Sequence, residues 1–183
     1  MNVVIREPDV DGAERYLLFG EYAAENLFHI EKSSVYKSVG TNFSTIEFIL
    51  HHRNDILMVE AKSSSPKPGN KENFDNFIDE VYKKFTHSME LFFSLVLKRS
   101  NDPNDDMPKY FKSADYSTII INMVLVINGH KMEWLAPIAD ALREKLKRHI
   151  KVWKLGMIVI NHEQAKDYGL LKTTEEADSK RNY

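Results

Sequence analysis

Two short apolar runs, residues 45–50 (TIEFIL) and 56–61 (ILMVEA), flank the polar break His52-Arg53-Asn54-Asp55, and this pattern constrains the fold more than any other stretch. Short apolar runs separated by turn-forming residues read as two antiparallel strands joined by a tight turn. With the turn centred on Arg53-Asn54, Leu50 faces Leu57, Phe48 faces Val59 and Glu47 faces Glu60. Lys62, two residues beyond Glu60, lies on the same face. Directly opposed side chains stand about 4.5–5.5 Å apart at Cβ, and like charges at that spacing repel. A positive group between Glu47 and Glu60 is therefore expected. Lys62 supplies one charge, and a divalent metal held by both carboxylates would supply more. A one-residue shift in register would send Glu47 to the other face.

The remainder of the chain supplies the elements around this hairpin. Val3-Val4-Ile5 reads as a short strand ended by Pro8 and Asp11-Gly12. Over residues 14–37, Leu17, Leu18, Tyr22, Leu27, Ile30 and Val35 recur mostly every three to five positions, which predicts an amphipathic helix or a broken pair of helices. Glu21, Glu25 and Glu31 ride on that segment, and only one of them need face the hairpin. After Lys62 the sequence SSSPKPGN is a loop. Asn70 or Asn73 then caps a long helix in which Phe74, Phe77, Ile78, Val81, Phe85, Met89, Phe92 and Leu95 form a core stripe, ending near Lys98-Arg99.

Residues 101–112 read as a surface connection, and residues 118–127 (TIIINMVLVI) as a strand covered on both faces. Residues 133–151 carry Leu135, Ile138, Ala139, Leu142, Leu146 and Ile150 on one helical face, with Pro137 in the first turn. Residues 155–160 read as another buried strand, and the chain from 172 onward as a polar tail. The expected fold is one α/β domain over residues 1–171: a mixed β-sheet with a central antiparallel hairpin, flanked by helices on both faces.

No apolar run reaches the roughly 18 residues of a membrane-spanning helix, and the opening MNVVIREPDVDG lacks the pattern of a secretory signal. Cysteine is absent, which excludes disulfides, thiolate metal sites and cysteine nucleophiles, and a cytoplasmic location is expected. A net charge of −2 offers no global attraction to polyanions, so nucleic-acid binding would need a local basic patch.

An acidic residue on one strand, followed after a short hairpin by Glu60-Ala61-Lys62 at the end of the next, resembles the PD-(D/E)XK nuclease superfamily with its restriction-endonuclease-like fold. The order of elements is also similar. Glu47 stands where that family most often has aspartate, and no proline precedes it. The resemblance implies a metal-dependent nuclease acting on DNA more readily than RNA, with Glu47 and Glu60 binding Mg²⁺ or Mn²⁺ and the Ala61 carbonyl completing the shell. Lys62 would position the attacking water first and accept its proton second. Glu25 would add a ligand, and a homodimer is the implied assembly.

Around this site, His51 shares the face of Glu47 but lies about 13 Å along the strand, and Asp55 lies about 17 Å from Glu60. Neither belongs to the same metal shell, and His51 and His52 point to opposite faces. The basic stretch Arg143, Lys145, Lys147, Arg148, His149, Lys151 and Lys154 is either the solvated face of a helix or a phosphate-tracking patch, with Lys67 and Lys71 able to do similar work. The competing reading of Glu47, Glu60 and Lys62 is an ion cluster at a strand end. The matching alternative for the whole chain is a non-catalytic protein-interaction module on the same fold.

Overall fold

The computed structural model describes residues 1–7, 16–40 and 43–172. In chain order, β1 (Asn2–Glu7) and β2 (Leu17–Ala23) form an antiparallel pair. A 3-10 turn (Ala24–Asn26) leads to the two-residue strand β3 (Leu27–Phe28), and a second (Ile30–Lys32) to α1 (Ser34–Val39). Next come β4 (Phe48–His52), β5 (Asp55–Lys62), α2 (Lys71–Val96), α3 (Lys109–Ser113), β6 (Ile120–Ile127), α4 (Met132–Lys145), α5 (Lys147–Trp153), β7 (Leu155–Asn161) and α6 (His162–Asp167).

The central hairpin forms in the expected register. Phe48 pairs with Val59 and Leu50 with Leu57, and Arg53 takes a left-handed φ of 59° in the turn. The main sheet runs β3-β4-β5-β6-β7, antiparallel across β3-β4-β5 and parallel across β5-β6-β7. Alternation along each strand divides the core in two. Ile49, Ile56, Met58, Met123 and Leu125 pack against α2 (Phe77, Val81, Phe85) and α4 (Leu135, Ile138, Leu142). Phe48, Leu50, Leu57, Val59, Val124 and Val126 face the other way, onto Ile5, Leu17 and Phe19 of β1–β2 and Ala165 and Leu170 around α6. The mixed sheet with helical cover is therefore as expected, but a β-hairpin supplies most of the cover on the second face.

The helix expected over 14–37 does not form. Leu17 and Phe19 alternate inward as a strand because β1 offers β2 a pairing partner, and Leu27 and Phe28 pair with β4. Among the described residues of this stretch the only α-helix is the six-residue α1, capped by the Ser33 hydroxyl accepting from Tyr36 N–H. The expected helix over 133–151 is two, α4 and α5, joined at Leu146, and Pro137 lies inside α4, past its first turn, because α4 starts at Met132, one residue earlier than expected. Asn70 caps α2 by accepting from Asn73 N–H. Lys172 is not part of a loose tail: its N–H donates to Leu18 O at 2.9 Å and its ammonium meets Glu21 at 2.7 Å. The rest of the expected tail lies outside the described residues. No described helix is long and apolar enough to cross a membrane.

Candidate functional site

The site begins where β4 begins. Ile46 N–H donates to the buried Ser88 hydroxyl of α2 at 2.9 Å, which fixes the chain as it enters the sheet. The ladder stops at Phe48–Val59, one step before the expected Glu47–Glu60 pair, and Glu47 N–H donates to Val59 O at 3.1 Å. Replacing Ser88 with alanine leaves a buried N–H without its partner, and unfolding in urea is expected to show a loss of about 1–3 kcal/mol.

Glu60 continues the inward row Ile56, Met58 and is 0 % exposed, in register with Leu125 on β6. A buried carboxylate demands compensation, and α2 provides it. Lys84 extends between the two acids, its Nζ 3.2 Å from Glu47 Oε1 and 2.9 and 3.1 Å from the two oxygens of Glu60. Lys62 Nζ stands 3.3 Å from Glu60 Oε1 and also pairs with Glu80, one helical turn before Lys84. Four charged groups, from the residue before β4, from β5 and from α2, thus meet within one shell, joined by Glu80 at its rim.

Glu60 Oε1 lies within ion-pair range of both ammonium groups yet accepts no hydrogen bond from the described residues. Burial pushes the Glu60 carboxyl up to about 8; Glu47 adds to the rise, while Lys84 and Lys62 pull against it. Burial also opposes the charge on Lys84, but Glu60 and Glu47 outweigh it and hold the ammonium above the ordinary lysine range. The positive group demanded between the carboxylates is therefore a lysine that the sequence reading did not include. Its signal was legible in part. Phe77, Val81, Lys84 and Ser88 fall at alternating spacings of four and three residues, so a charge occupies an inward position of α2.

Of the expected residues, Glu47, Glu60 and Lys62 come together. Ala61 continues β5 opposite Val126. Val59 O points to β4 and Lys62 O to β6, where it accepts from Asn128 N–H at 2.8 Å, so by alternation the Ala61 carbonyl faces the side where β4 has ended.

Glu25 does not join them. β3 pairs Leu27 with Leu50, which puts the exposed Glu25 level with His52, about 16 Å from Glu47 along the strand. Glu31 lies at the right end instead: it accepts from the Thr45 hydroxyl at 3.1 Å and lines a cavity of about 400 Å³ with Arg6, His29, Lys32 and Glu47. Burial, with help from the charge of Lys32, lowers His29 to about 4, leaving a neutral ring beside Glu47.

The basic residues are dispersed. Arg143 pairs with Asp140 and Lys147 with Glu144. Arg148 and Lys151 are exposed on α5, which runs into β7 where Leu155 pairs with Ile121, at the N-terminal ends of the parallel strands. Glu60 is level with Leu125, about 13 Å further along. The α5 cluster is therefore not beside the carboxylates. Lys67 and Lys71, in the loop after β5 and at the start of α2, are on the carboxylates' end of the sheet and exposed.

Comparison with protein families, curated proteins and solved structures gives no match.

Proposed function

We propose that this chain is a metal-dependent phosphodiesterase of the restriction-endonuclease-like kind, acting on nucleic acid, with DNA favoured over RNA. The supporting observation is the convergence of Glu47, Glu60 and Lys62 at the open end of the β4–β5 hairpin. Among the described residues no group of three or more carboxylate or imidazole side chains is placed to hold a metal. Two carboxylates suffice for Mg²⁺, which retains waters and takes further oxygens from substrate phosphates. The donors fit that ion: two carboxylates, a carbonyl turned to the same side, and a buried Glu60 oxygen without a hydrogen bond.

In this reading Glu47, Glu60 and the Ala61 carbonyl would hold Mg²⁺ or Mn²⁺, with Lys84 leaving the space between the carboxylates. When bound, the metal lowers the pKa of a coordinated water and offsets charge on the scissile phosphate. Lys62 would orient the attacking water first and accept its proton second. The working location is the cytoplasm, and the working assembly is a homodimer, for which mass in solution is the check. A second reading has a specific observation in its favour. Lys84 already bridges the pair, as it would in a non-catalytic interaction module where the cluster only locks α2 to the sheet.

Incubation of plasmid, linear and branched DNA with Mg²⁺ or Mn²⁺ separates the two. Cleavage is expected to vanish in EDTA and to fall by about 10²-fold or more in Lys62→Ala. A folded protein that neither cleaves nor binds either metal favours the interaction module.

A further inference from the structure

Next to Lys62 the parallel strands end in two loops and in the junction of β7 with α6, and these carry features that the carboxylate cluster does not use. Ends of parallel strands are where such sheets place ligands. Residues 128–132 and 161–163 line a cavity of about 370 Å³, within the range that holds a nucleotide-sized ligand. The cavity wall is tied to Lys62 through Asn128 N–H. His130, 8 % exposed, is fixed in this wall: its Nε2 lies 2.9 Å from the Ser65 hydroxyl, and its carbonyl accepts from Asn161 Nδ2 at 3.3 Å.

Beside His130 stands Trp134, with ring centroids 5.2 Å apart at a steep angle. Trp134 is half-buried and precedes the core face of α4 that starts at Leu135, so the core does not consume its ring. Two exposed ammonium groups, Lys67 and Lys131, lie 5.9 and 5.6 Å from its centroid. Glu163 lines the same cavity as Lys131, so a phosphate belongs with the ammonium groups of Lys67 and Lys131 at Trp134 and not against that carboxylate.

We infer that Trp134, Lys67 and Lys131 form a binding surface for single-stranded nucleic acid, which stacks an unpaired base on Trp134 and places its phosphate between the two lysines. This deepens the phosphodiesterase reading and rests on it for the link to cleavage. An aromatic face flanked by cations takes unstacked bases without regard to sequence. A duplex offers no free base face, so the substrate class is single strands, frayed ends or flaps.

The test uses Glu60→Gln protein, which blocks cleavage, and a fluorescein-labelled oligothymidylate against a blunt duplex of equal length. The single strand is expected to bind about tenfold more tightly, and Trp134→Ala to weaken it by about tenfold while Trp134→Phe retains most of it. Lys67→Ala and Lys131→Ala should each lower the salt dependence by about one phosphate contact. Trp134 and Trp153 are the only tryptophans. In a Trp153→Phe background the emission of Trp134 therefore reports stacking directly and is expected to be quenched by the single strand. Equal affinity for duplex and single strand, or emission unmoved by saturating oligonucleotide, overturns the inference. Quenching without metal-dependent cleavage by unsubstituted protein sustains it and sinks the phosphodiesterase reading. Cleavage indifferent to Trp134→Ala does the reverse.

Discussion

Lys84→Met lowers the stability of the metal-free protein by about 3 kcal/mol, and Mg²⁺ or Mn²⁺ restores most of the loss. Removing one partner of a buried ion pair costs about 3–5 kcal/mol because the other charge is left uncompensated. The low end applies because Glu60, already pushed up to about 8, can take a proton instead of bearing a bare charge. Methionine keeps the length of the stem and its packing on α2, so the change reads the ammonium and not the methylenes. Thermal unfolding in EDTA and in millimolar metal measures both halves. A divalent ion that binds only the folded state raises stability in proportion to the logarithm of its excess over Kd. Destabilisation without metal rescue is the signature of the interaction module.

Glu60→Gln is expected to reduce cleavage by about 10³-fold or more while leaving the fold intact, since one metal ligand and its charge are lost together. The same variant has an independent readout in pH. A carboxyl raised from 4.5 to about 8 on folding binds more protons in the native state across that interval, so the stability it contributes is fully present below 4.5 and is lost as pH rises towards 8. The groups around it are Glu47 from the start of β4, Lys62 on β5, and Lys84 on α2. Glu80 on α2 acts through its pairing with Lys62. His29, His51, His52, His130 and His162 are all lowered from 6.5, so their contributions run the other way and are largely complete by pH 7. Between pH 7 and 8 the metal-free protein should therefore lose about 1 kcal/mol. Urea titrations at the two pH values should show that loss in the parent protein and not in Glu60→Gln.

The hairpin could be read from the chain because two apolar runs of matched length and a four-residue polar break leave few other pairings, and burial on both faces fixes register. The β6 strand was legible for a related reason: Met123 and Leu125 face one core while Val124 and Val126 face the other. The first 40 residues misled because Leu18, Tyr22, Leu27 and Ile30 recur every three to five residues, close enough to a helical period to compete with the strand reading. The choice was made by β1, a distant partner whose pairing local periodicity does not report. That same error misplaced the third acid. On a continuous helix Glu25 was a reasonable neighbour of the hairpin, but as β3 turns antiparallel to β4 it is Glu31 that arrives beside Glu47. Lys84 was hidden for another reason: its role depends on the angle at which α2 crosses β4 and β5, and sequence spacing does not fix that angle.

Residues 170–172 have a consequence for how the molecule assembles. Leu170 O accepts from the Tyr22 hydroxyl at 2.6 Å and from Gly20 N–H at 3.3 Å, while Leu171 bridges to Phe19. The β1–β2 ribbon and residues 170–172 therefore close on each other like a buckle. During synthesis the β1–β2 ribbon must wait for residues 170–172 to emerge before its clasp exists, and contacts so far apart in sequence form slowly. A ribosome-bound chain halted short of residue 170 would leave the Phe19 and Phe48 side of the sheet unfastened.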